Sequence, residues 1–332
     1  VAGSWDKIIA HFSDAKIIGV TATPSRLDGR GLGSHFSTLV SGPSVAQLTK
    51  LGFLSQHRVF APPVIADLSN VKIRAGDYAN DQLSAAMDRP TITGDAIGHY
   101  RRLADGLPAI AFCCSIAHAT SVCKSFNASG YRAKLVTGKM KMKERDEAIS
   151  GLANGRTQIL CSVDVVSEGT DVPAVSAAIL LRPTQSEALY LQQVGRILRP
   201  QPGKVAIVLD HVGSTLKHGF VDDIRAWSLD SKPKRKKNDL APSVRQCPIC
   251  FAAFKPQPVC PMCGHEFPVK EKREITQREG ELKEMRRQDA IERREKRKEQ
   301  GKARTLPELL ALAKKKGYKP GWAYKIYNSR RG

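Results

Sequence analysis

Short apolar runs alternate with helical patterns along the first 211 residues, and this alternation restricts the chain to few architectures. The runs predicted as strands are KIIGVTAT (16–23), AIAFCCS (109–115), AKLVTG (133–138), QILCSV (158–163), SAAILLRP (176–183) and KVAIVLDH (204–211). Segments 116–129, 141–153 and 186–198 have helical periodicity, and Gly130 and Gly155 are placed to end two of these helices. Strands that alternate with helices pair in parallel through crossover connections. We therefore predict an α/β fold with a parallel sheet covered on both faces.

The same pattern predicts where the chain divides. Residues 1–58 contain one predicted strand, which is too little for a domain, so we interpret them as the C-terminal end of another α/β unit. The main α/β domain is expected at 59–228. After it we predict a basic linker (229–244), a cysteine module (245–268), a charged helix (269–304) and a helical hairpin (305–332) that begins with a capping box.

Positive charge is concentrated at the C-terminal end of the chain. The net charge is +21, and residues 232–332 contribute +16 of it, with 28 Lys and Arg against 12 Asp and Glu. Such a segment favours a polyanionic partner, DNA or RNA. Membrane surfaces also attract basic segments, but the chain has no lipidation motif and no apolar run of about 18 residues. We therefore expect a nucleic-acid partner and no membrane association.

Four of the eight cysteines form a metal-ligand pattern. Cys247, Cys250, Cys260 and Cys263 have the spacing C-x₂-C-x₉-C-x₂-C, which predicts tetrahedral thiolate ligation of Zn²⁺ in a small zinc ribbon. A closed site of four thiolates is structural, and the segment between them is too short for a core of its own. Disulfide pairing and ligation by His265 are the alternatives. The other cysteines lie in apolar runs, so we expect a reducing, cytoplasmic setting, nucleoid-associated in a bacterium.

Three polar clusters follow predicted strands. Ligands bind beyond the carboxyl ends of strands in an open parallel sheet. TATP (21–24) follows the first predicted strand, and SVDVVSEGTDVP (162–173) follows the strand at 158–163. QQVGRILRP (192–200) lies on a later helix and carries Arg196 and Arg199. Arginine suits bidentate contact with phosphate oxygens, although two cations on a solvated helix face are the alternative.

Through these polar clusters, residues 1–228 resemble the C-terminal part of superfamily 2 helicases of the DEAD/DEAH-box type. TATP looks like motif III, AFCCSIAHA (111–119) like motif IV and VTGKMKMKERDEAI (136–149) like the conserved block after it. ILCSVDVVSEGTDVP (159–173) looks like motif V, and Gln192-x-x-Gly195-Arg196-x-x-Arg199 looks like motif VI. The added cysteine module makes RadD-type DNA repair helicases the nearest group. The resemblance implies a second RecA-like domain at 59–228 and a remnant of the first at 1–58.

The resemblance also implies roles for single residues. Arg196 and Arg199 are expected as arginine fingers that stabilise charge on the γ-phosphate of ATP, with Gln192 orienting in the same cleft. The expected ATP contacts are Glu168, Gly169, Asp171 and Gly195, and the residues that couple hydrolysis to strand movement are Thr21 and Thr23. Ser115 and Thr137 are expected to contact the nucleic-acid backbone, or equally to serve the fold alone.

The chain lacks two motifs of this family. It has no G-x-x-x-x-G-K-[ST] sequence to hold phosphates and no DEAD or DEAH carboxylate pair to hold Mg²⁺. We therefore expect a helicase truncated or split before motif III, with ATP and Mg²⁺ held mainly by the missing half. This chain alone is expected not to hydrolyse ATP. The alternatives are a module that binds DNA without ATP chemistry and a protein-interaction adaptor.

The last predicted element combines aromatic and basic residues. GYKPGWAYKIY (317–327) places Trp322 between Lys319 and Lys325, an arrangement that suits stacking on bases with phosphate neutralisation. Alternatively, Trp322 and Ile326 pack against Leu309 and Leu312 to form the core of a hairpin. DNA is the favoured partner, with a replication or repair protein as a further one.

Overall fold

The computed structural model describes residues 2–12, 14–25, 31–61, 68, 71–74, 76–87, 90–163, 175–230, 243–268, 295, 298–303 and 305–329. The chain divides into two compact units, Val1–Val269 and Lys270–Gly332, and each is described by itself. Among the described residues, no helix has the length and apolarity needed to span a membrane.

A mostly parallel sheet of eight strands forms the centre of the first unit. Its strands are β1 (Gln56–Phe60), β4 (Ala109–Phe112), β5 (Ala133–Val136), β6 (Ile159–Ser162), β7 (Ala177–Leu180), β8 (Val205–Asp210), β9 (Arg245–Gln246) and β10 (Ala252–Phe254), in the order β5-β6-β4-β7-β8-β1-β10-β9. The first six in this order are parallel, and β10 and β9 are antiparallel additions at the edge. The predicted α/β fold is confirmed, as are five of the predicted strands.

Helices cover both faces of this sheet. The helices of this unit are α1 (Ala2–His11), α2 (Val45–Lys50), α3 (Asn80–Met87), α4 (Pro90–Leu103), α5 (Ile116–Ala128), α6 (Met142–Ala153), α7 (Glu187–Gly195) and α8 (Ser214–His218). Every residue of β4, β6 and β7 is buried, as expected for parallel strands between two helical layers. Tyr100 and Phe126 pack on one face, and Tyr190 and Leu152 on the other.

Two features near the N-terminus differ from the predictions. Residues 16–23 form no strand: the described residues pair no strand with them, and the side chains of Ile18 and Val20 are 86% and 95% exposed. Apolar, β-branched composition alone does not make a strand when no neighbour supplies ladder hydrogen bonds. Conversely, β1 was not predicted, and the expected boundary between residues 58 and 59 falls inside it.

The cysteine module is hydrogen-bonded into the main sheet. Strands β9 and β10 form a hairpin, and β10 pairs antiparallel with β1, with Val59 opposite Ala253 and Phe60 opposite Ala252. The backbone N–H of Ala61 donates to the carbonyl of Phe251 at 2.8 Å. The segment expected as a separate module at 245–268 is therefore continuous with the edge of the α/β sheet.

A small hairpin, β2 (Ile73–Arg74) with β3 (Asp77–Tyr78), lies beside the loop that precedes α7. The carboxylate of Asp77 accepts hydrogen bonds from the hydroxyl of Thr184 at 2.8 Å and the backbone N–H of Gln185 at 2.7 Å. Leu83 and Met87 on α3 are fully buried in the core. The hairpin of β2 and β3 therefore fixes the start of α7, the helix that carries the predicted motif VI.

The second unit contains a helical hairpin of α9 (Leu306–Lys316) and α10 (Pro320–Ser329). The predicted capping interaction is present, because the backbone N–H of Thr305 donates to the carboxylate of Glu308 at 3.1 Å. Leu309, Ala313 and Ala323 form the buried contact between the two helices. Most of the predicted charged helix at 269–304 lies outside the described residues.

Candidate functional site

Helix α7 brings Gln192 against the motif III-like segment. Its N-cap Ser186 accepts a hydrogen bond from the backbone N–H of Leu189. The side-chain amide of Gln192 donates to the hydroxyl of Thr23 at 3.1 Å, and the N–H of Thr23 donates to the hydroxyl of Thr21 at 3.1 Å. Thr23 is buried, while Gln192 is partly buried. Two of the predicted motifs therefore meet directly.

The predicted arginine fingers lie at the end of the same helix. Gly195 is the last residue of α7 and is exposed, and Arg196 is its C-cap, with an N–H that donates to the carbonyl of Val194. Arg199 is partly buried, and its carbonyl accepts a hydrogen bond of 3.0 Å from the hydroxyl of Ser55, the residue before β1. The chain around Arg199 therefore lies at the amino ends of the strands. Helix α7 begins after β7 and carries residues 192–200 back across the sheet.

Lys204 also contacts the backbone of Arg199. Its ammonium donates to the carbonyl of Arg199 at 2.8 Å. Burial, assisted by the positive charge of Arg199, lowers the pKa of Lys204 to about 8. The positive charges of Arg199 and Lys204 are therefore close enough to interact unfavourably.

The predicted ATP contacts Glu168, Gly169 and Asp171 fall in the segment 164–174, which lies outside the described residues.

The two hydroxyls predicted to contact nucleic acid lie at the carboxyl edge. Ser115 follows β4 and Thr137 follows β5, and β6 lies between these two strands. Ser115 caps α5 by accepting from the N–H of His118 at 3.2 Å, and its hydroxyl lies 2.6 Å from that of Ser84. Thr137 is buried, with an N–H 3.4 Å from the sulfur of Met140. Both residues thus have local structural roles.

The four motif cysteines form a compact cluster. Their sulfur atoms all lie within 4.8 Å of one another, with Cys247 and Cys263 3.6 Å apart and Cys250 and Cys260 3.6 Å apart. Tetrahedral Zn–S bonds of about 2.3 Å place sulfurs about 3.8 Å apart, whereas a disulfide bond is about 2.05 Å. All four are free thiols. The arrangement therefore fits a tetrahedral metal ion and not the disulfide alternative.

The pKa values of two of these thiols are shifted in opposite directions. Although burial opposes it, hydrogen bonds from the backbone N–H groups of Cys250 and Ile249 lower the pKa of Cys247 to about 7. Burial, together with hydrogen bonds from neighbouring thiols, raises the pKa of Cys250 to about 12. Four thiolates at this separation need a cation between them. The ring of His265 packs against Phe267 at 5.0 Å, and the cluster consists of the four sulfurs.

The two cysteine knuckles have the same backbone geometry. The N–H of Phe251 donates to the carbonyl of Cys247 at 3.0 Å, and the N–H of Gly264 donates to that of Cys260 at 3.0 Å. Both residues have positive φ, 63° for Phe251 and 73° for Gly264. A phenylalanine is strained in this conformation. Its ring, however, packs edge-on against His99 at 5.6 Å and beneath the guanidinium of Arg102 at 5.3 Å, so it anchors the knuckle on α4.

The predicted residues of the C-terminal hairpin are divided between core and surface. Trp322 is partly buried, packs against the Leu309 cluster and lies 5.0 Å from the ring of Tyr318. Lys319 and Lys325 are exposed. Trp322 therefore contributes to the core of the hairpin, which was the alternative to base stacking. The two lysines remain exposed to solvent.

Sequence reasoning missed several residues that shape these sites: Ser55, Asp77, Lys204 and Phe251. The position of Phe251 after C-x-x-C, matching Gly264 in the second knuckle, was a readable signal for a positive φ. Nothing local to the sequence places Ser55 or Lys204 beside Arg199, because both contacts depend on the pairing of β1 with β8.

Comparisons with known proteins agree with this geometry. Residues 95–201 match the family of the helicase conserved C-terminal domain. A 51.5 kDa protein of a Lactococcus phage is 35% identical over 284 residues, covering 85% of this chain and 62% of that protein. IRC3 of Saccharomyces cerevisiae, described as an ATP-dependent helicase, is 31% identical over 225 residues, covering 65% of this chain and 33% of IRC3. The chain thus spans less than two thirds of the length of these relatives.

A solved structure matches at the level of the fold. A fragment of an HsdR subunit of a type I restriction enzyme from Vibrio vulnificus aligns with a TM-score of 0.53 at 23% identity, covering 70% of this chain and 45% of that one. The sheet has the RecA-like fold of the helicase conserved C-terminal domain. Residues 95–201 thus resemble the conserved C-terminal domain of helicases, and a relative described as an ATP-dependent helicase aligns with 65% of the chain.

Proposed function

We propose that this chain supplies the second RecA-like half of an ATP-dependent translocase or helicase that acts on DNA. The observation that carries the proposal is the hydrogen bond between Gln192 and Thr23, which joins the motif VI-like helix to the motif III-like segment. Within this proposal, the chain is of the RadD type, since a cysteine module follows its helicase domain.

In the proposed reaction, water attacks the γ-phosphorus of ATP and the bond to the β-phosphate oxygen breaks, giving ADP and phosphate. Arg196 and Arg199 donate hydrogen bonds to the phosphoryl oxygens as charge develops on them, and Gln192 orients in the same cleft. Glu168, Gly169, Asp171 and Gly195 contact the nucleotide. The sequence has no Walker A motif and no DEAH pair, and in this proposal a first RecA-like domain contributes the other phosphate contacts and Mg²⁺.

Nucleic acid in this proposal follows the carboxyl edge of the sheet, near Ser115 and Thr137. Thr21 and Thr23 couple hydrolysis to strand movement. Lys319, Trp322 and Lys325 add a second contact from the C-terminal hairpin, in which the exposed lysines neutralise phosphates. A replication or repair protein is the further partner that this role implies.

Zinc is the metal that we propose for the cysteine cluster. Cys247, Cys250, Cys260 and Cys263 fill all four tetrahedral positions, so the ion has no open position for catalysis. Its contribution is structural: it holds the hairpin of β9 and β10 against β1. Free thiols for such a site require a reducing compartment.

ATP hydrolysis in the presence and absence of single-stranded DNA tests the proposal. The chain is mixed with a first RecA-like domain that carries Walker A and DEAH motifs. We expect DNA-stimulated turnover from the mixture and none from the chain alone. Arg196→Ala and Arg199→Ala should each lower kcat by about 10³-fold, the range of other arginine fingers.

Arg156→Ala is the matched control, because Arg156 is an exposed arginine whose Nε contacts only the neighbouring Asn154 among the bonds described. Full activity of the Arg199→Ala mixture would overturn the motor assignment. DNA binding without turnover in every mixture would favour the alternative, an ATP-independent DNA-binding module.

A further inference from the structure

The carbonyl group of Arg199 accepts two side-chain hydrogen bonds. The hydroxyl of Ser55 donates at 3.0 Å and the ammonium of Lys204 donates at 2.8 Å. The backbone N–H of Ser55 also donates to the carbonyl of Leu198 at 2.7 Å. Three hydrogen bonds thus hold two consecutive peptide groups that lie beyond the end of α7.

Both donors lie at the amino ends of paired strands in the main sheet. Ser55 immediately precedes β1 and Lys204 immediately precedes β8, and these strands pair in parallel with Gln56 opposite Val205. Ser55 is 6% exposed. The fully buried Ile197 and Leu198 anchor the segment from its other side. The carbonyl of Arg199 is therefore bonded to residues at the starts of two strands, while the N–H of Leu198 donates to the carbonyl of Gly195 at 3.3 Å.

Arg196 is held differently. It is the C-cap of α7, and its backbone N–H donates to the carbonyl of Val194 within that helix. The backbone of Arg196 therefore follows the end of α7, whereas the carbonyl of Arg199 is held by Ser55 and Lys204. The backbone groups of Arg196 and Arg199 therefore have different hydrogen-bond partners, although the two residues are only three positions apart.

We propose that Ser55 and Lys204 are positioning residues for Arg199, which fix the direction in which its guanidinium leaves the backbone. This inference rests on the proposed function, in which Arg199 contacts the γ-phosphate. A side chain that acts on a transition state must be placed within a fraction of an ångström, and a misplacement of about 1 Å can cost about 10²-fold in rate. A carbonyl fixed by two donors supplies that precision.

A double-mutant cycle in the DNA-stimulated ATPase of the mixture distinguishes positioning from general stability. We expect Ser55→Ala and Lys204→Met each to lower kcat by about tenfold and to change the KM for ATP by less than about twofold. In the Arg199→Ala background, either substitution should cause no further loss, because the residue that they position is absent. Ser55→Thr retains the hydroxyl and should restore kcat.

Ser44→Ala and Lys255→Met are the control variants. Ser44 caps the short helix α2, and Lys255 is an exposed lysine that pairs with Asp223. Both should leave kcat unchanged. Should the buried site at Ser55 fail to tolerate substitution, the partly exposed Lys204 carries the test alone.

The outcomes separate this inference from the proposed function. If Arg199→Ala itself leaves kcat unchanged, the proposed function fails. If Arg199→Ala lowers kcat as expected but the Ser55 and Lys204 losses persist in its background, or never appear, the positioning inference alone is overturned.

Discussion

The side-chain amide of Gln192 donates a 3.1 Å hydrogen bond to the hydroxyl of Thr23, a residue 169 positions earlier in the chain. Thr23 is 7% exposed, and its own N–H is held by the hydroxyl of Thr21. A displacement of the segment around Thr23 therefore acts on α7, whose last turn leads into Arg196. This contact is a direct physical link between two segments that the family resemblance treats as separate motifs.

Thr23→Val should break this link at little steric cost, since valine has the shape of threonine without the hydroxyl. We expect a loss of about 1 kcal/mol in the free energy of unfolding, because the amide of Gln192 loses its partner in a largely buried place. Denaturant unfolding of Thr23→Val, Gln192→Leu and the double variant should give a coupling energy of about 0.5–1.5 kcal/mol.

Thr120→Val is a suitable control for that cycle. The hydroxyl of Thr120 bonds to the carbonyl of Ile116 within α5 and has no described contact with α7. Its effect should add to that of Gln192→Leu. Strict additivity of Thr23→Val with Gln192→Leu would contradict the proposed link.

Loss of the metal should loosen the edge of the main sheet as well as the cysteine knuckles. The hairpin of β9 and β10 is too small to persist alone, and the N–H of Ala61 is protected by the carbonyl of Phe251. After zinc removal, hydrogen exchange at Ala61 should accelerate, while exchange in the central strand β7 should change little.

The zinc content of the purified chain tests whether the cysteine cluster binds the metal. We expect one zinc ion per chain, released by thiol modification, and none in Cys247→Ser with Cys260→Ser. Cys123→Ser is the control because Cys123 lies outside the cluster. A metal-free chain with full protection at Ala61 would contradict this view of the hairpin.

Phe251 combines backbone strain with useful ring contacts, and two substitutions separate the contributions. Phe251→Ala removes the contacts with His99 and Arg102 but keeps a side chain at φ 63°. Phe251→Gly removes the contacts and the strain together. The zinc-loaded glycine variant should therefore be more stable than the alanine variant by about 1 kcal/mol, while both are less stable than the parent. Equal thermal stability of the two variants would show that the strain is negligible.

Much of the fold follows from local patterns. Ile159–Ser162 and Ala177–Leu180 are fully buried, and continuous apolar runs bounded by polar residues identified both strands. The clustering of the four cysteines followed from spacing alone, because two short C-x-x-C turns can gather four sulfurs around one point. Capping at Thr305 was equally local.

The remaining features depend on contacts between distant segments. QHRVF (56–60) has charged and polar residues at its start and becomes β1 only because β8 and β10 pair with it. KIIGVTAT has the better strand composition, yet it pairs with no strand among the described residues. The location of Arg199 at the amino ends of strands also requires the path of α7 across the sheet. Composition carries no information on these pairings.

The C-terminal hairpin should contribute a salt-dependent share of DNA affinity. Lys319 and Lys325 are exposed. If each neutralises one phosphate, replacing both with alanine should reduce the slope of log K against log salt concentration by about 1.4 on single-stranded DNA. Fluorescence anisotropy titrations at several salt concentrations measure the slope. Lys50→Ala on α2 should leave it unchanged, and an unchanged slope in the double variant would remove the hairpin from the DNA contact.

Replacing Arg199 should raise the pKa of Lys204. Burial and the charge of Arg199 lower that pKa from 10.5 to about 8, so Arg199→Met removes the second cause and leaves the first. Because the folded-state pKa lies below the unfolded value, the unfolded chain binds more protons between the two, and stability rises with pH across that window. In Arg199→Met the pH range between the folded and unfolded pKa values of Lys204 narrows, so the free energy of unfolding should rise less with pH.

NMR titration of the Lys204 side chain measures its pKa, and denaturant unfolding from pH 7 to pH 10 measures how the free energy of unfolding changes with pH. An unchanged pKa of Lys204 in Arg199→Met would mean that the charges of Arg199 and Lys204 do not interact, which would contradict this prediction.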